Sequence, residues 1–268
     1  MKFETGRSNY SIDSIERSVV MDNEIGLLPL ETKQQLYDKA MAKLGRHPAL
    51  TEILDMRHIG TYREKTAGLV RRIGVLPSRL VISDERLRDM CRTPYWHPGK
   101  KGPDGERQMK FSPCPNAGRH SSCPSFSPSA KEARARLDES DIFVMLQSAP
   151  ITNNDEGWYQ FRPLHRLQQD IDSALGKGSV LQRFGHGSCQ ACGKPCLRMG
   201  ECRSPALYTP ALESMGVAVG QLARDMAHFS GDGSWEIEFI KNFGLPNQTP
   251  KQWKYTSGLA IRFPPPQA

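Results

Sequence analysis

Four cysteines crowded into fourteen residues constrain this chain more than any other feature. Cys189, Cys192, Cys196 and Cys202 follow a C-x2-C-x3-C-x5-C spacing and take up four of the chain's 7 cysteines. Independent core cysteines have no reason to cluster so tightly. Thiolates two and three residues apart in a loop can point their sulfurs at one centre, as a tetrahedral metal or an iron–sulfur cube requires. Pro195 and Pro205, with glycines at 185, 187 and 193, keep a helix from forming across the run.

The spacing favours an iron–sulfur cluster of the [4Fe-4S] kind over zinc. Structural zinc sites split their ligands into two distant pairs, whereas this is one continuous run with prolines near it. Zinc is the alternative, and reduced bystander thiols or disulfides are a third reading. The remaining cysteines, Cys91, Cys114 and Cys123, lie in stretches rich in Pro, Gly and Ser, which are poor core positions. Together they could hold a second cluster with three thiolates, leaving its fourth position to His97, His120 or a substrate. Separate thiols are the competing reading, because Cys91 stands far from the other two.

An odd cysteine count with no export signal argues against a disulfide framework and for a reducing cytoplasm. No apolar run reaches the length of a membrane span, so no membrane association is expected. The net charge is +7, and basic residues concentrate between 57 and 110, including Arg71, Arg72, Arg79, Arg86, Arg88, Arg92, Lys100 and Lys101. Such a surface could meet an acidic electron carrier (ferredoxin or flavodoxin) or an anionic small-molecule substrate. Aromatic residues are sparsely interleaved and no nucleic-acid motif is present, so nucleic acid is the disfavoured partner and a plain solvated face is the favoured reading of this surface.

Hydrophobic periodicity predicts helices over 31–46 and from Pro48 to 56, and a strand over 79–83. Asp84 should cap a helix over 85–91, and a further helix should open at Ser127 and Pro128. A continuous apolar run predicts a central strand over 141–146. A helix over 163–175, a strand over 180–184, a helical turn over 209–216 and late strands over 235–240 and 258–263 follow. The expected fold is α+β or α/β: a mixed sheet covered by helices, with two cysteine-rich metal-binding loop regions at one end. Residues 1–78 read as a helical extension, 79–263 as the cysteine-rich domain and 264–268 as a disordered tail.

No P-loop, nucleophile elbow or dinucleotide-binding glycine fingerprint occurs in a suitable context. Asp170 with Asp172, and Glu236 with Glu238, could be paired carboxylates, but helix and strand surfaces explain them equally well and they are not taken as catalytic. His186 could tune a nearby cluster, though a bystander role is the simpler reading.

Two ordered sets of residues resemble a known family. Downstream are Cys189, Cys192, Cys196 and Cys202-Arg203, then Pro205 and the stretch from Tyr208 to Val219. Upstream are Cys91-Arg92, Cys114-Pro115-Asn116, Cys123-Pro124 and the Pro128…Glu132 helix start. In this order, over about residues 80–263, they resemble a cysteine-rich family of predicted metal-binding proteins found in many anaerobes and archaea. The chain departs from it in a long insertion over 95–111, in Ala117 where Tyr is usual and in Ser125 where Pro is usual. The resemblance implies metal binding and supplies no reaction. The leading expectation is an enzyme with a closed cluster on the downstream cysteines and an open iron on the upstream set, used for substrate activation, sulfur transfer or reduction. A lyase, sulfurtransferase or reductase would fit. The alternatives are a ferredoxin-like electron carrier and a zinc-stabilised nucleic-acid-binding protein.

Overall fold

The computed structural model describes residues 12–54, 72–90, 92, 94–101, 103, 107–113, 118, 121–150, 154–187, 189, 202–237 and 254–263. At its centre is a four-stranded antiparallel sheet in the order β1-β4-β6-β5, made of β1 (Arg72–Pro77), β4 (Ile142–Gln147), β5 (Val180–Phe184) and β6 (Thr256–Ile261). A separate hairpin pairs β2 (Tyr95–Lys101) with β3 (Arg107–Ser112). Seven α-helices are among the described residues: α1 (Ile12–Met21), α2 (Leu30–Leu44), α3 (Pro48–Leu54), α4 (Glu85–Asp89), α5 (Ala130–Asp138), α6 (Asn154–Leu175) and α7 (Val219–Ser230).

The apolar run behind β4 makes it central because both of its faces must be covered. Phe143 and Met145 point to one side, where they join Leu76, Phe184, Ala260, Leu137 of α5 and Leu222 and Met226 of α7. Ile142, Val144 and Leu146 point to the other, against Leu259, Ile261, Leu164 and Ile171 of α6, and Ala40, Leu44, Leu50 and Leu54 of α2 and α3. This period-two division is what a strand buried on both faces imposes. Gly258 opposes Met145 in the β4/β6 register, and a Cβ there would strike the Phe143 ring. The segment read as an N-terminal extension therefore contributes both helices and the edge strand β1 to the same core.

The α/β class agrees with expectation, and the pairing of the four main strands is antiparallel. The expected strand over 79–83 is not one. Leu80, Val81 and Ile82 are buried, but in a 3-10 turn (Ser78–Leu80) and an extended segment, and the strand is β1, which ends at Pro77. The helix expected from Ser127 begins at Ala130, because Ser129 and Glu132 form a reciprocal capping box. Pro163 lies inside α6 rather than opening it, since the helix starts at Asn154. The strand expected over 235–240 begins as a 3-10 turn (Gly233–Trp235), and its last residues lie outside the described ones. The insertion over 95–111 contains the β2/β3 hairpin.

α7 had no counterpart in the sequence expectations, although Val219, Leu222, Ala223 and Met226 are spaced for one buried helical face. Its N-cap residue, Ala218, has no side chain to accept a hydrogen bond. Glu16 of α1 substitutes for the cap: its carboxylate accepts the Gly220 N–H at 3.1 Å and the Gln221 N–H at 2.7 Å, and pairs with Arg224 at 3.3 Å. A carboxylate at this helix end also meets the positive pole of the helix dipole.

Candidate metal centre

β5 delivers the chain into the downstream cysteine run, and the backbone fixes where that run starts and stops. Gly185 donates to the Pro210 carbonyl at 2.6 Å, and Leu212 donates to the Gly185 carbonyl at 3.0 Å. The excursion between 185 and 210, which carries all four downstream cysteines, is thus stapled shut at its base. The staple requires a residue without a side chain at 185, because a Cβ there would lie 2.9 Å from the Thr209 oxygen and 3.3 Å from His165.

The upstream segment lies against both arms of this excursion. Ser122 Oγ accepts the backbone N–H of Cys189 at 3.1 Å, which sets Cys123 and Cys189 on adjoining strands of loop. On the other arm, Tyr208 donates its hydroxyl to the Ser121 carbonyl at 2.7 Å, and just beyond the excursion Ser127 Oγ donates to the Ser214 carbonyl at 2.9 Å. Ser121 and Ser122 are almost fully buried. The Cys123 carbonyl accepts the N–H groups of both Phe126 and Ser127 at 2.9 Å, a tight turn that leaves Phe126 exposed beside it. Arg88 braces that turn by donating to the Pro124 carbonyl while pairing with Glu85 at 2.9 Å.

Cys123, Cys189 and Cys202 are half-buried and outside any disulfide. Cys91, Cys114, Cys192 and Cys196 lie outside the described residues, as does His120; His97 falls on β2. Among the described residues there is no group of three or more His, Cys, Asp or Glu placed to hold a metal. The donor set that does stand here, thiols on two adjoining loops, has the soft character that iron–sulfur clusters and zinc both take.

Behind the staple, two buried imidazoles stack and a partly buried tyrosine ring meets them at a tilt. His186 lies 4.9 Å from His165 of α6 and 4.9 Å from Tyr255, centroid to centroid. Burial holds the His165 imidazole down at about 4. His186 is held well below the ordinary imidazole value by burial first and by His165 second. Both rings are therefore neutral at pH 7. Gln168 of α6 donates to the carbonyls of Phe184 at 2.8 Å and Gly258 at 2.9 Å, locking the end of β5 to β6 just before the excursion begins.

Much of the basic surface is engaged in local pairs. Arg72 pairs with Asp232 at 3.0 Å, Arg86 with Asp22 at 2.8 Å and Asp84 at 2.9 Å, and Arg92 with Asp89 at 3.7 Å. Asp172, one of the paired carboxylates, is bound to Arg183. Sequence reasoning missed Ser122, Tyr208 and Arg88 as parts of the site. Tyr208 stood only within the stretch that carried the family resemblance and Arg88 only among the basic residues, and nothing marked Ser122.

The family described as predicted metal-binding protein (DUF2284) matches residues 106–241, half of the chain. The match takes in Cys114, Cys123 and all four downstream cysteines and leaves Cys91 outside it. No curated protein and no solved structure matches the chain. No helix among the described residues is long and apolar enough to cross a membrane.

Proposed function

The chain belongs to the predicted metal-binding protein family DUF2284, and we propose that it is an iron–sulfur protein whose two cysteine sets form one centre. Cys189, Cys192, Cys196 and Cys202 would hold a closed [4Fe-4S] cluster; Cys91, Cys114 and Cys123 would hold a second. The observation that carries this reading is the Ser122–Cys189 hydrogen bond, which joins two ligand segments 67 residues apart in sequence. A cluster on three thiolates supplies a Lewis-acidic iron to a substrate oxygen or sulfur, the chemistry of a lyase, sulfurtransferase or reductase.

The chain's own residues do the rest. The Gly185 staple fixes the downstream excursion against the sheet, Tyr208 and Ser127 hold the upstream turn to its far arm, and Arg88 braces that turn from outside. The hairpin β2/β3, joined to the Cys114 segment, is the element available to wall a substrate site. An acidic electron carrier or an anionic substrate remains the partner that a net charge of +7 suits best, and a cytoplasmic setting would keep the thiols reduced.

Purification under strictly anoxic conditions, followed by iron, zinc and acid-labile sulfide analysis, tests the proposal. Brown protein with equal iron and sulfide is expected. Colourless protein with stoichiometric zinc would overturn it and install the zinc reading.

A further inference from the structure

Ser122 sits where the two cysteine sets meet. It directly precedes Cys123, is 3% exposed, and accepts the Cys189 N–H at 3.1 Å. One Cα–Cα step, the reach of a serine side chain, that hydrogen bond and one N–Cα bond place the Cα atoms of Cys123 and Cys189 no more than about 11 Å apart. Cysteine side chains and metal–sulfur bonds are short on this scale, so groups held at these two residues cannot be electronically remote. The contact is also not a chance of two loose loops. The Cys189 side is anchored by the Gly185 staple, and the Cys123 side by Tyr208, Ser127 and Arg88. Tyr208 ties the upstream turn to the returning arm, and Ser122 is the link that reaches a downstream cysteine itself.

We infer that Ser122 is a positioning residue that holds the upstream and downstream cysteine sets at interaction distance, so that the two sets behave as one coupled centre. The inference rests on the iron–sulfur reading above and deepens it. Ser122 itself acts through the backbone: its hydroxyl oxygen takes the amide proton of Cys189 and thereby sets where that ligand's main chain lies relative to Cys123. Its hydroxyl proton is not used in that bond and is left for an acceptor such as a cluster sulfur. Hydrogen bonds to cluster sulfurs are among the determinants of reduction potential.

Electron paramagnetic resonance on the anoxically loaded, dithionite-reduced full-length protein reads the coupling directly. The wild-type spectrum should be split or broadened beyond the sum of the spectra of Cys123→Ser and Cys189→Ser, and should need several-fold more microwave power to saturate than either. Ser122→Ala should keep its iron and sulfide while its spectrum moves toward that sum; Ser122→Thr, which retains the hydroxyl, should return it to the wild-type form. A wild-type spectrum equal to the sum, or a Ser122→Ala spectrum identical to wild type, would overturn the inference. So would loss of all iron in either cysteine variant, which would mean a single shared site. Should the cysteine variants fail to fold, the Ser122→Ala and Ser122→Thr pair decides alone. Iron and sulfide analysis of the wild-type protein separates the two possible failures. Absent sulfide removes the cluster reading and this inference with it, whereas present sulfide with uncoupled spectra removes only the inference.

Discussion

The sheet and the cysteine loops are built on opposite principles. β4 and β6 are buried along their whole length, and their apolar side chains are held in two clusters, one on each face of the sheet. The loops around Cys123 and Cys189 are held by a few hydrogen bonds to backbone carbonyls and amides, with half-buried cysteine thiols among them. Apolar burial is strong and indifferent to small changes in direction, so it suits a frame. Hydrogen bonds are weak in net terms but directional, so they suit the placing of ligands. The comparison predicts that the two regions can be broken separately.

The largest effect should come from the frame. Phe143 is fully buried, covers Gly258 and meets Phe184 edge-on at 5.5 Å. Phe143→Ala should cost about 3–5 kcal/mol. Chemical denaturation of the metal-free protein measures it. Cys189→Ser in the same metal-free assay should change stability by less than about 1 kcal/mol, because a half-buried thiol exchanged for a hydroxyl opens no core cavity. Equal losses in the two variants would erase the distinction between frame and site.

Next in size is a pH effect from the imidazoles that lie between the two regions. Folded His165 takes its proton near 4 while the unfolded chain takes it near 6.5, so the unfolded state binds more protons between those values. Stability is complete above about pH 6.5 and falls as the pH drops toward 4, by about 3 kcal/mol for His165. His186 shifts in the same direction and adds to the loss. His165→Gln should flatten the curve of stability against pH over that window. An unchanged slope would mean that the histidine takes its proton at the same pH folded and unfolded.

How far the two regions could be read in advance follows from the same contrast. β4 was legible because six consecutive buried residues leave an apolar run, and β5 because it is short and bounded by glycine. β1 was not, since Gly74 and Pro77 break its pattern while the apolar Leu80-Val81-Ile82 beside it looks more strand-like. Those three residues are buried by the turn that follows β1, not by a ladder. α7 carried a readable helical stripe but no capping residue, and its cap arrives from Glu16, more than two hundred positions away. In the site, cysteine spacing pointed to metal binding, which is as far as the family match goes. The bonds that bring Ser122 to Cys189 and Tyr208 to Ser121 span 67 and 87 residues, and side chain-to-backbone contacts of that range leave no periodic trace.

Glu16 gives a prediction of intermediate size. Glu16→Ala would leave the Gly220 and Gln221 N–H groups and Arg224 without their carboxylate, and should cost about 2 kcal/mol in thermal or chemical unfolding. Glu16→Gln keeps an acceptor oxygen and should recover part of the loss. Metal content of protein refolded at low temperature should be unaffected, since Glu16 makes none of the hydrogen bonds that hold the cysteine loops. Loss of metal in Glu16→Ala below its unfolding transition would show that frame and site are not separable after all.

The smallest expected change in stability should carry the largest relative change in the site. Tyr208→Phe removes one hydroxyl, which donates to the Ser121 carbonyl at 2.7 Å and to the Phe126 carbonyl at 3.5 Å. The ring stays, so packing is conserved and the cost to folding should be about 1 kcal/mol, the net worth of one hydrogen bond. That bond, however, is the tie between the Cys123 turn and the arm that returns from Cys202. Without it the upstream turn keeps only Ser122, Ser127 and Arg88, and its ligand should be released sooner. Timed challenge with a chelator in the folded state should therefore show metal leaving Tyr208→Phe several-fold faster than wild type, at a temperature where both are fully folded. If the release rates match, Tyr208 belongs to the frame, and the boundary between the two regions moves inward to Ser122 alone.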